Sequence, residues 1–578
     1  MEFAKIAELF IKLEKTSSRL AVTDDLAKLF AEAKPSEVRK LVYLCQGIVA
    51  PACEGIELGM GEKLAMRSIS LVSGKKVEEI EKVYRKEGDL GSATQLILQK
   101  KLQKSLYHEP LEVGKVYGRL YKIATSSGGG SQELKIKLLA EMLSNAEPDE
   151  AKAIIRLVTG NLRMGVGEPT IIDAFSVLKA GDKSLRAELE RAFNMRSDLG
   201  LVAELFMKEG IEEIRKIKPT PFYPIRPALA ERLTSAEQII EKLGKCAVEG
   251  KYDGLRLAVH KKGNRVEIYS RREERITHMF PDLVEAVKKQ VSADEIIFEG
   301  EAVAYDEKRK KFLPFQATIQ RKRKYGIAEK IKEIPLKLFA FELLYLNGRD
   351  FTNEPYTKRR ETLEKVIKKD EKIQLAQMMI AENAKQMEKY FNECVDAGLE
   401  GIIAKDLNQP YVAGARKFAW IKLKKSYSGE LADMVDIVIV GYYVGKGKRT
   451  EFGFGGILGA IWEPKQRIFK TITKVGTGFT EEQMKQFAEQ LGKLKVQEKP
   501  KNVISLIEPD VWVQPKVVVT VLADEITRSP IHTCAMKEGE EGLALRFPRL
   551  VDMRKDKAPE DATTEEEVLE MFELQRQK

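Results

Sequence analysis

The chain has 578 residues, of which 43% are hydrophobic and 32% are charged. This composition is typical of a folded globular protein and excludes a peptide hormone, a small disulfide-stapled module and a disordered or collagen-like chain. At about 100 to 200 residues per domain, the length predicts three or four domains. The 98 Lys and Arg against 88 Asp and Glu give a net charge of +10, which matters for binding only where it is clustered.

The cysteines and the hydropathy pattern indicate a reducing compartment. The five cysteines, at positions 45, 53, 246, 394 and 534, form no CxxC pair, so neither a zinc site nor a disulfide framework is predicted. Charges interrupt the apolar positions of the first twenty residues, and no run of 18 apolar residues occurs. We expect no signal peptide, no membrane span and no secretion, and a location in the cytoplasm, with the nucleoid, or in the nucleus.

The first part of the chain predicts an all-helical domain over residues 1–218. Apolar residues recur at spacings of three and four from Phe3 to Leu13, and this rhythm continues for about two hundred residues. The segment 125–132, TSSGGGSQ, breaks the pattern. Its small residues let a ligand come close to the backbone, and the alternative is a plain loop between helices.

A second domain, with mixed α and β structure, is predicted over residues 219–427. Four prolines between Lys218 and Ala230 exclude a helix interior and mark the boundary. Short strand-like runs follow at 247–252, 256–260 and 265–270. Longer apolar runs at 296–305 and 336–346 alternate with helical patterns at 356–367 and 381–397.

The third domain, residues 428–578, is predicted to be a small antiparallel β-barrel of the OB-fold type with a C-terminal helix. Strand-like runs lie at 435–445, 455–464, 467–476 and 511–526, separated by Gly, Pro and charged turns. Thr564, with Glu567 three residues later, predicts a capping box that opens a short acidic helix.

The segment EGKYDGLR, residues 249–256, carries the most specific chemical signal. Alone, the KxDG motif is weak, because a hairpin with an exposed lysine has the same sequence. Its weight comes from the other motifs that follow in order, which are SRRE (270–273), FEGEAVAYD (298–306), FAFELLYLNG (339–348), EGIIAKDL (400–407), WIKLKK (420–425) and RFPRLVDMRKDK (546–557). Together they resemble the covalent nucleotidyltransferase superfamily. The surrounding sequence is similar to ATP-dependent DNA ligases of the archaeal and eukaryotic replicative class over essentially the whole chain.

The resemblance implies a helical DNA-binding domain, an adenylation (nucleotidyltransferase) domain and an OB-fold, with ATP and Mg²⁺, or Mn²⁺ as an alternative ion, as cofactors. It makes Lys251 the nucleophile that forms a lysyl-AMP phosphoramide. Since this attack needs a neutral amine, nearby cations are expected to favour that form. The other implied ATP or AMP contacts are Glu249 to the adenine amino group, Phe341 to the ring, Glu301 to the ribose, the cations Arg256, Arg271, Lys405, Lys422 and Lys424, and Arg554 and Lys557 to the leaving pyrophosphate. The implied metal ligands are Glu301 and Glu400. The family often has Asn where this chain has Arg272.

The expected partner is nicked double-stranded DNA, bound without base readout and in a salt-sensitive way. The predicted DNA contacts are Ser126, Gly128, Gly129, Gly130 and Ser131 in the Gly/Ser loop, Arg321 and Arg323 in the basic run QRKRK, and Arg449. Related ligases carry a sliding-clamp peptide at the position of Gln103, Leu106 and Tyr107, although Leu106 replaces one of its aromatics. A clamp of the PCNA type is therefore predicted as a partner, with a surface helix end as the alternative reading. We expect a monomer that does not bind membranes.

The sequence thus predicts an ATP-dependent DNA ligase that acts in DNA replication, repair and recombination. An mRNA-capping guanylyltransferase shares KxDG but usually lacks a long helical domain ahead of it. A non-catalytic DNA-binding scaffold is the alternative from another class, although it has no use for charged residues at every motif position. An NAD-dependent ligase is disfavoured by the absence of a four-cysteine zinc cluster.

Overall fold

The computed structural model describes residues 1–16, 18–99, 109–162, 164–306, 311–313, 315–323, 326–368, 370, 372–424, 434–445, 449, 452–537 and 539–577. The chain divides into two compact units, Met1–Lys425 and Ser426–Lys578. Within the described residues, no helix is long and apolar enough to cross a membrane. The domain boundaries expected after residues 218 and 427 stay predictions.

The N-terminal part of the first unit is helical, as predicted. The apolar stripe from Phe3 to Leu13 is buried, and burial of each large side chain contributes about 1.5 to 3 kcal/mol. The helices are α1 Phe3–Lys15, α2 Arg19–Glu32, α3 Pro35–Gln46, α4 Glu62–Ser73, α5 Val77–Glu87, α6 Leu90–Gln99, α7 Val113–Thr125, α8 Ser131–Asn145, α9 Pro148–Thr159, α10 Glu168–Ala180, α11 Arg186–Arg196, α12 Leu199–Glu209 and α13 Ile211–Arg215.

The central part of the first unit mixes strands and helices, as predicted. Its strands are β1 Leu229–Arg232, β2 Cys246–Lys251, β3 Leu255–Lys262, β4 Arg265–Ser270, β5 Glu295–Asp306, β6 Lys311–Phe312, β7 Leu336–Leu346, β8 Arg349–Asp350, β9 Ile373–Leu375, β10 Met378–Ala381, β11 Gly401–Asp406 and β12 Arg416–Lys424. Its helices are α14 Ala236–Leu243, α15 Pro281–Gln290, α16 Phe315–Ile319, α17 Ile327–Glu333, α18 Tyr356–Val366 and α19 Ala384–Asp396. The helix expected from residue 381 begins three residues later, because Ala381 pairs with Cys246 in a sheet and Asn383 caps α19.

These strands form sheets that meet at the KxDG segment. One sheet has the strand order β1-β12-β11-β2-β10, and the other has the order β4-β3-β5-β7-β8, with β6 beside β5 and β9 beside β7. The chain leaves the first sheet at Lys251 and enters the second at Leu255. A Cβ atom on Gly254 would lie 2.3 Å from the carbonyl oxygen of Ala302, so this crossing requires glycine. Lys251 therefore lies at the junction of the sheets.

The second unit is rich in strands and confirms the predicted fold class. Its strands are β13 Val435–Tyr443, β14 Gly456–Glu463, β15 Ile468–Val475, β16 Lys495–Val496, β17 Val503–Ile504, β18 Val511–Val513, β19 Val518–Leu522, β20 Glu525–Ser529, β21 Gly542–Arg546 and β22 Arg549–Arg554, and its helices are α20 Glu481–Lys493 and α21 Glu565–Gln577. The main sheet has the order β16-β18-β13-β14-β15-β17, while β19 pairs with β13 and β22, and β20 with β21.

Two sequence predictions for this unit had different outcomes. The run 511–526 is not one strand but three, because Pro515 has no backbone N–H for the ladder and a turn follows Leu522. The capping box of α21 is confirmed, since the Thr564 backbone N–H donates to Glu567 and the Glu567 N–H donates to the Thr564 hydroxyl.

Candidate functional site

Lys251 ends β2 with its side chain 20% exposed and in an ion pair with Glu400. Antiparallel pairing of β2 with β11 causes this contact, since the Glu400 N–H donates to the Lys251 carbonyl at 3.0 Å. Lys424, at the end of β12, contacts the same carboxylate at 3.2 Å. The nearest charged partner of Lys251 is thus a carboxylate, and Lys424, one of the cations expected near it, contacts the same carboxylate oxygen.

The carboxylate of Glu400 is held in its ionised form. Burial would raise its pKa, but Lys251 and Lys424 outweigh burial, and the pKa lies below its ordinary value. Glu400 and its two lysines therefore form a compact charged group at the end of β2.

Glu301 is the other carboxylate near the nucleophile. It lies on β5 opposite Arg256 of β3 and is half-buried. Burial raises its pKa to about 7, with the charges of Lys251 and Arg256 opposing the shift and that of Glu400 supporting it. Glu301 is therefore a carboxylate whose charge changes near neutral pH.

Arg256 has partners that were not predicted. Its Nη2 lies 2.8 Å from Glu299, and its Nη1 donates to the Ala228 carbonyl at 2.8 Å. The Tyr411 hydroxyl donates to the same Glu299 carboxylate at 2.9 Å. The guanidinium also lies over the Phe341 ring, 5.5 Å from its centroid, and so makes a cation–π contact with the ring predicted to stack on adenine.

Glu249 is 3% exposed and belongs to a buried cluster. The Lys405 ammonium lies 2.8 Å from its Oε2, and the Tyr356 hydroxyl donates to its Oε1 at 2.6 Å. Lys405 is only 1% exposed and also donates to the Phe341 carbonyl at 3.1 Å. Lys405 thus contacts the predicted adenine reader.

Aromatic rings border this cluster. Phe341 is partly exposed, and its ring meets that of Trp420 edge-on with centroids 6.1 Å apart. The Lys405 ammonium lies 4.3 Å from the centroid of the Trp420 ring. A base stacked on Phe341 would therefore lie beside an aromatic and cationic wall.

The remaining cations predicted for this site lie on β12 and directly after β4. Arg271 is exposed, directly after β4. Lys422 and Lys424 lie two residues apart on β12, as predicted, so they share one face of that strand. In the sheet, Lys422 is in register with Ile403 of β11 and Arg232 of β1.

Arg554 and Lys557 lie together in the second unit. Both contact Oδ2 of Asp436, at 3.2 Å from Arg554 Nη1 and 2.7 Å from Lys557 Nζ. Asp436 is 7% exposed, and its other oxygen accepts from the Thr520 hydroxyl at 2.6 Å. The two cations of the last motif therefore share one buried carboxylate, and Arg554 also pairs with Asp556 at 2.6 Å.

The structure corrects one predicted DNA contact. The Arg321 side chain is fully buried, donating to the Ile334 carbonyl and pairing with Asp282 at 2.8 Å, so it supports the fold and cannot reach DNA. Arg323, two residues later, is exposed, and its contact with DNA stays a prediction. Arg449 donates to the carbonyls of Gly455 and Gly476, at 3.0 and 2.8 Å.

The Gly/Ser loop joins α7 to α8. Ser126 caps α7 through the Lys122 carbonyl, and Ser131 is the first residue of α8. Gly128, Gly129 and Gly130 are exposed, and a Cβ on any of them would meet nothing within 4 Å. The backbone of this loop is open to a ligand. The predicted clamp segment, Gln103 to Tyr107, lies outside the described residues.

The sequence reasoning missed several site residues whose signals were present. Glu299 precedes Glu301 by two residues on β5, and Glu342 directly follows Phe341. Tyr356 and Arg360, four residues apart, share one face of α18, and both contact Glu249.

The described residues contain no group of three or more His, Cys, Asp or Glu side chains that could hold a metal ion. Glu301 and Glu400 nevertheless fit a divalent cation, because each carboxylate disfavours the charge of the other and a positive ion would relieve this repulsion. One or two carboxylates with retained waters are the usual protein contribution to a Mg²⁺ site.

Three family models and several known proteins match this chain. Family models described as DNA ligase N terminus, ATP dependent DNA ligase domain and ATP dependent DNA ligase C terminal region match residues 2–176, 227–424 and 450–557. A probable DNA ligase of Dictyoglomus turgidum is 49% identical over 100% of this chain and 98% of its own length. A DNA ligase of Sulfophobococcus zilligii is 43% identical over 99% and 97%. The solved structure named Pmar-Lig_PreS3 covers 95% of this chain and 99% of its own, with a TM-score of 0.53 at 16% identity, which indicates a shared fold.

Proposed function

We propose that Lys251 is the residue that takes AMP from ATP, because this chain belongs to the family of ATP-dependent DNA ligases. The observation that carries the proposal is the position of Lys251 at the junction of the sheets, next to Glu400, Lys424 and Glu301. Adenylyl transfer needs a nucleophile, positive charge at the phosphates and carboxylates for a divalent ion, and these residues supply all three.

The reaction proceeds in three transfers. The Lys251 ammonium leaves its ion pair with Glu400 and gives a proton to water, and the resulting amine attacks the α-phosphorus, so that a P–N bond forms and pyrophosphate departs. The 5′-phosphate at the nick then takes the AMP and releases Lys251. Finally the 3′-hydroxyl attacks the 5′-phosphorus, which joins the strand and expels AMP.

The other residues bind and orient the nucleotide. Glu249 accepts from the adenine amino group and Phe341 stacks on the ring, while Glu301 holds the ribose. Lys422 and Lys424 lie on the strand face expected to contact the α-phosphate. Arg256 and Arg271 supply positive charge at the edge of the site, and Arg554 and Lys557 contact the leaving pyrophosphate.

Glu301 and Glu400 are the residues that would hold Mg²⁺, with Mn²⁺ as an alternative. The ion supplies positive charge to the phosphate oxygens when it is bound.

The wider role follows the family. We propose that the protein seals nicked duplex DNA during replication, repair and recombination, as a monomer in the cytoplasm or nucleus. The open backbone of residues 128–130 and the exposed Arg323 support DNA contacts in this scheme. A sliding clamp is the proposed protein partner, through Gln103, Leu106 and Tyr107.

One gel assay tests the central proposal. Wild-type protein incubated with α-labelled ATP and a divalent ion should carry the label covalently and should seal a nicked duplex. Labelling by GTP in place of ATP would indicate a capping guanylyltransferase. Stoichiometric DNA binding without labelling would indicate a scaffold and would contradict the proposal.

A further inference from the structure

The partners of Glu249 come from different elements and differ in what they control. Tyr356 is the first residue of α18, Arg360 lies one turn later, and Lys405 lies on β11. Lys405 contacts Oε2 at 2.8 Å, and Arg360 Nη1 lies 3.5 Å from Oε1. The charges of these cations attract the Glu249 carboxylate, but a charge attracts equally from every direction and does not by itself fix the orientation of the carboxylate.

Each of these cations has a second anchor. Lys405 also donates to the Phe341 carbonyl and lies 3.9 Å from Glu342, which Arg359 holds at 2.7 Å. Arg360 pairs with Glu364 and donates to the Ala376 carbonyl, both at 2.8 Å. The positions of the cations therefore depend on several residues besides Glu249.

The Tyr356 hydroxyl makes the short directional contact in the cluster. It donates to Glu249 Oε1 at 2.6 Å, and its ring is 1% exposed at the start of α18. A buried aromatic ring on a helix has little freedom, so the oxygen that accepts from it is fixed in direction as well as in distance. This leaves the remaining lone pairs of Glu249 in a defined orientation.

Adenine and guanine differ at the atom that such a carboxylate would meet. Adenine carries an amino donor at C6, whereas guanine carries a carbonyl acceptor there. An ionised carboxylate only accepts hydrogen bonds, so it attracts the amino group and repels the carbonyl. The discrimination depends on how well the carboxylate is aimed.

We propose that Tyr356 is a positioning residue that determines nucleotide specificity, because its hydroxyl aims Glu249 at the amino group of adenine. This inference rests on the proposed function, in which Glu249 reads adenine. Tyr356 acts through Glu249 and does not itself touch the nucleotide in this scheme.

The test is Tyr356→Phe, which keeps the buried ring and removes the hydroxyl. We expect kcat/KM for self-labelling with α-labelled ATP to fall about tenfold. The value for α-labelled GTP should not fall, since guanine gains nothing from Glu249 and a less well aimed carboxylate repels its carbonyl less. The ATP-to-GTP ratio should therefore fall at least about tenfold.

Tyr345→Phe is the matched control. The Tyr345 hydroxyl donates to Glu295 at the same 2.6 Å, on β7 of the same domain. Its removal deletes a similar tyrosine–glutamate bond away from Glu249. The ATP-to-GTP ratio of this variant should equal that of the wild type.

Two outcomes would overturn the inference. Equal losses with ATP and GTP in Tyr356→Phe would show that the hydroxyl only supports the fold, and unchanged values with both nucleotides would show that it does not aim Glu249. The Glu249→Gln variant distinguishes failure of the role of Tyr356 from failure of the proposed adenine contact. If that variant lowers the ratio and Tyr356→Phe does not, only the role of Tyr356 is wrong. If neither lowers it, the proposed adenine contact is wrong as well.

Discussion

At the residue scale, the chemistry depends on an amine that must lose its proton. Lys251→Arg keeps the positive charge and can keep the contact with Glu400, but a guanidinium does not deprotonate. We expect self-labelling with α-labelled ATP to fall at least about 10³-fold. Thermal unfolding should be close to that of the wild type.

Normal labelling of the Lys251→Arg variant would assign the nucleophile to another residue. A large drop in unfolding temperature would instead mean that the ion pair with Glu400 requires an ammonium. The two readouts therefore separate chemistry from folding.

Glu301 gives the site a pH dependence whose sign is fixed by its raised pKa. The folded protein holds the Glu301 proton up to about pH 7, whereas the unfolded chain releases it near 4.5, so this group lowers stability as pH rises between these values. Glu301→Gln removes this effect. Without nucleotide, the variant should unfold at least about 2 °C higher than the wild type at pH 8, and at the same temperature below pH 4.5.

The Glu301→Gln variant should also label at least about tenfold more slowly, because an amide is a poorer ligand for a divalent ion.

Glu295→Gln is the control for the stability prediction, and its expected effect has the opposite sign. Lys262 and Tyr345 lower the pKa of Glu295, so its carboxylate stabilises the fold above the ordinary pKa. That variant should be less stable at pH 8, and a gain there would contradict the pKa argument.

At the scale of the element, the crossing from β2 to β3 tolerates only glycine. A side chain at Gly254 would meet the Ala302 carbonyl at 2.3 Å, and this carbonyl belongs to the backbone of β5 and cannot rotate away. Gly254→Ala should destabilise the protein by about 1 to 3 kcal/mol, measured by denaturant unfolding, and should slow labelling.

Gly118→Ala is the control for that variant. Gly118 lies within α7, and a Cβ there meets nothing within 4 Å, so alanine should raise helix stability by up to about 1 kcal/mol. Equal unfolding curves for the Gly254→Ala variant and the wild type would mean that β5 moves to accept the methyl group.

The cations that we assign to pyrophosphate are Arg554, at the end of β22, and Lys557, three residues later. The double variant Arg554→Ala, Lys557→Ala should fail to label with ATP yet seal a nick that is already adenylylated, because pyrophosphate is absent once AMP has been transferred. It should also unfold at a lower temperature, since the buried Asp436 carboxylate would lose both cations and, among the described residues, would keep its bond to the Thr520 hydroxyl. Equal loss on both substrates would assign these residues to the fold alone.

At the scale of the whole molecule, the clamp prediction is independent of the active site. Leu106→Ala with Tyr107→Ala should weaken binding to the cognate clamp at least about thirtyfold, because apolar anchors carry most of the energy of such peptides. Sealing of a short linear nicked duplex should not change, since no clamp is loaded there. Calorimetry with the clamp measures the first effect.

An unaltered dissociation constant would place the clamp contact elsewhere. Loss of sealing without the clamp would show that the segment supports the helical domain. Either result can be interpreted without any assumption about the role of Lys251.

The sequence by itself determined the fold class, the family and most elements. Periodicity is a local property, so the buried stripe of α1, the strands around the KxDG segment and the capping box at Thr564 follow from neighbouring residues. The order of short motifs led to Lys251 in the same way. The division of the strand run 511–526 was not predicted, although the missing backbone N–H of Pro515 is a local signal for it.

Only the tertiary structure decided which of several similar charges does what. Arg321 and Arg323 share one basic run, yet the first pairs with Asp282, 39 residues away, and the second faces solvent. Lys405 and Lys424 are both motif lysines with the same predicted role in ATP binding. In the structure, Lys405 contacts Glu249 and Lys424 contacts Glu400. The physical reason is that the role of a charge depends on its burial and on its nearest opposite charge. Strand register and helix packing set both, between residues that are far apart in the sequence.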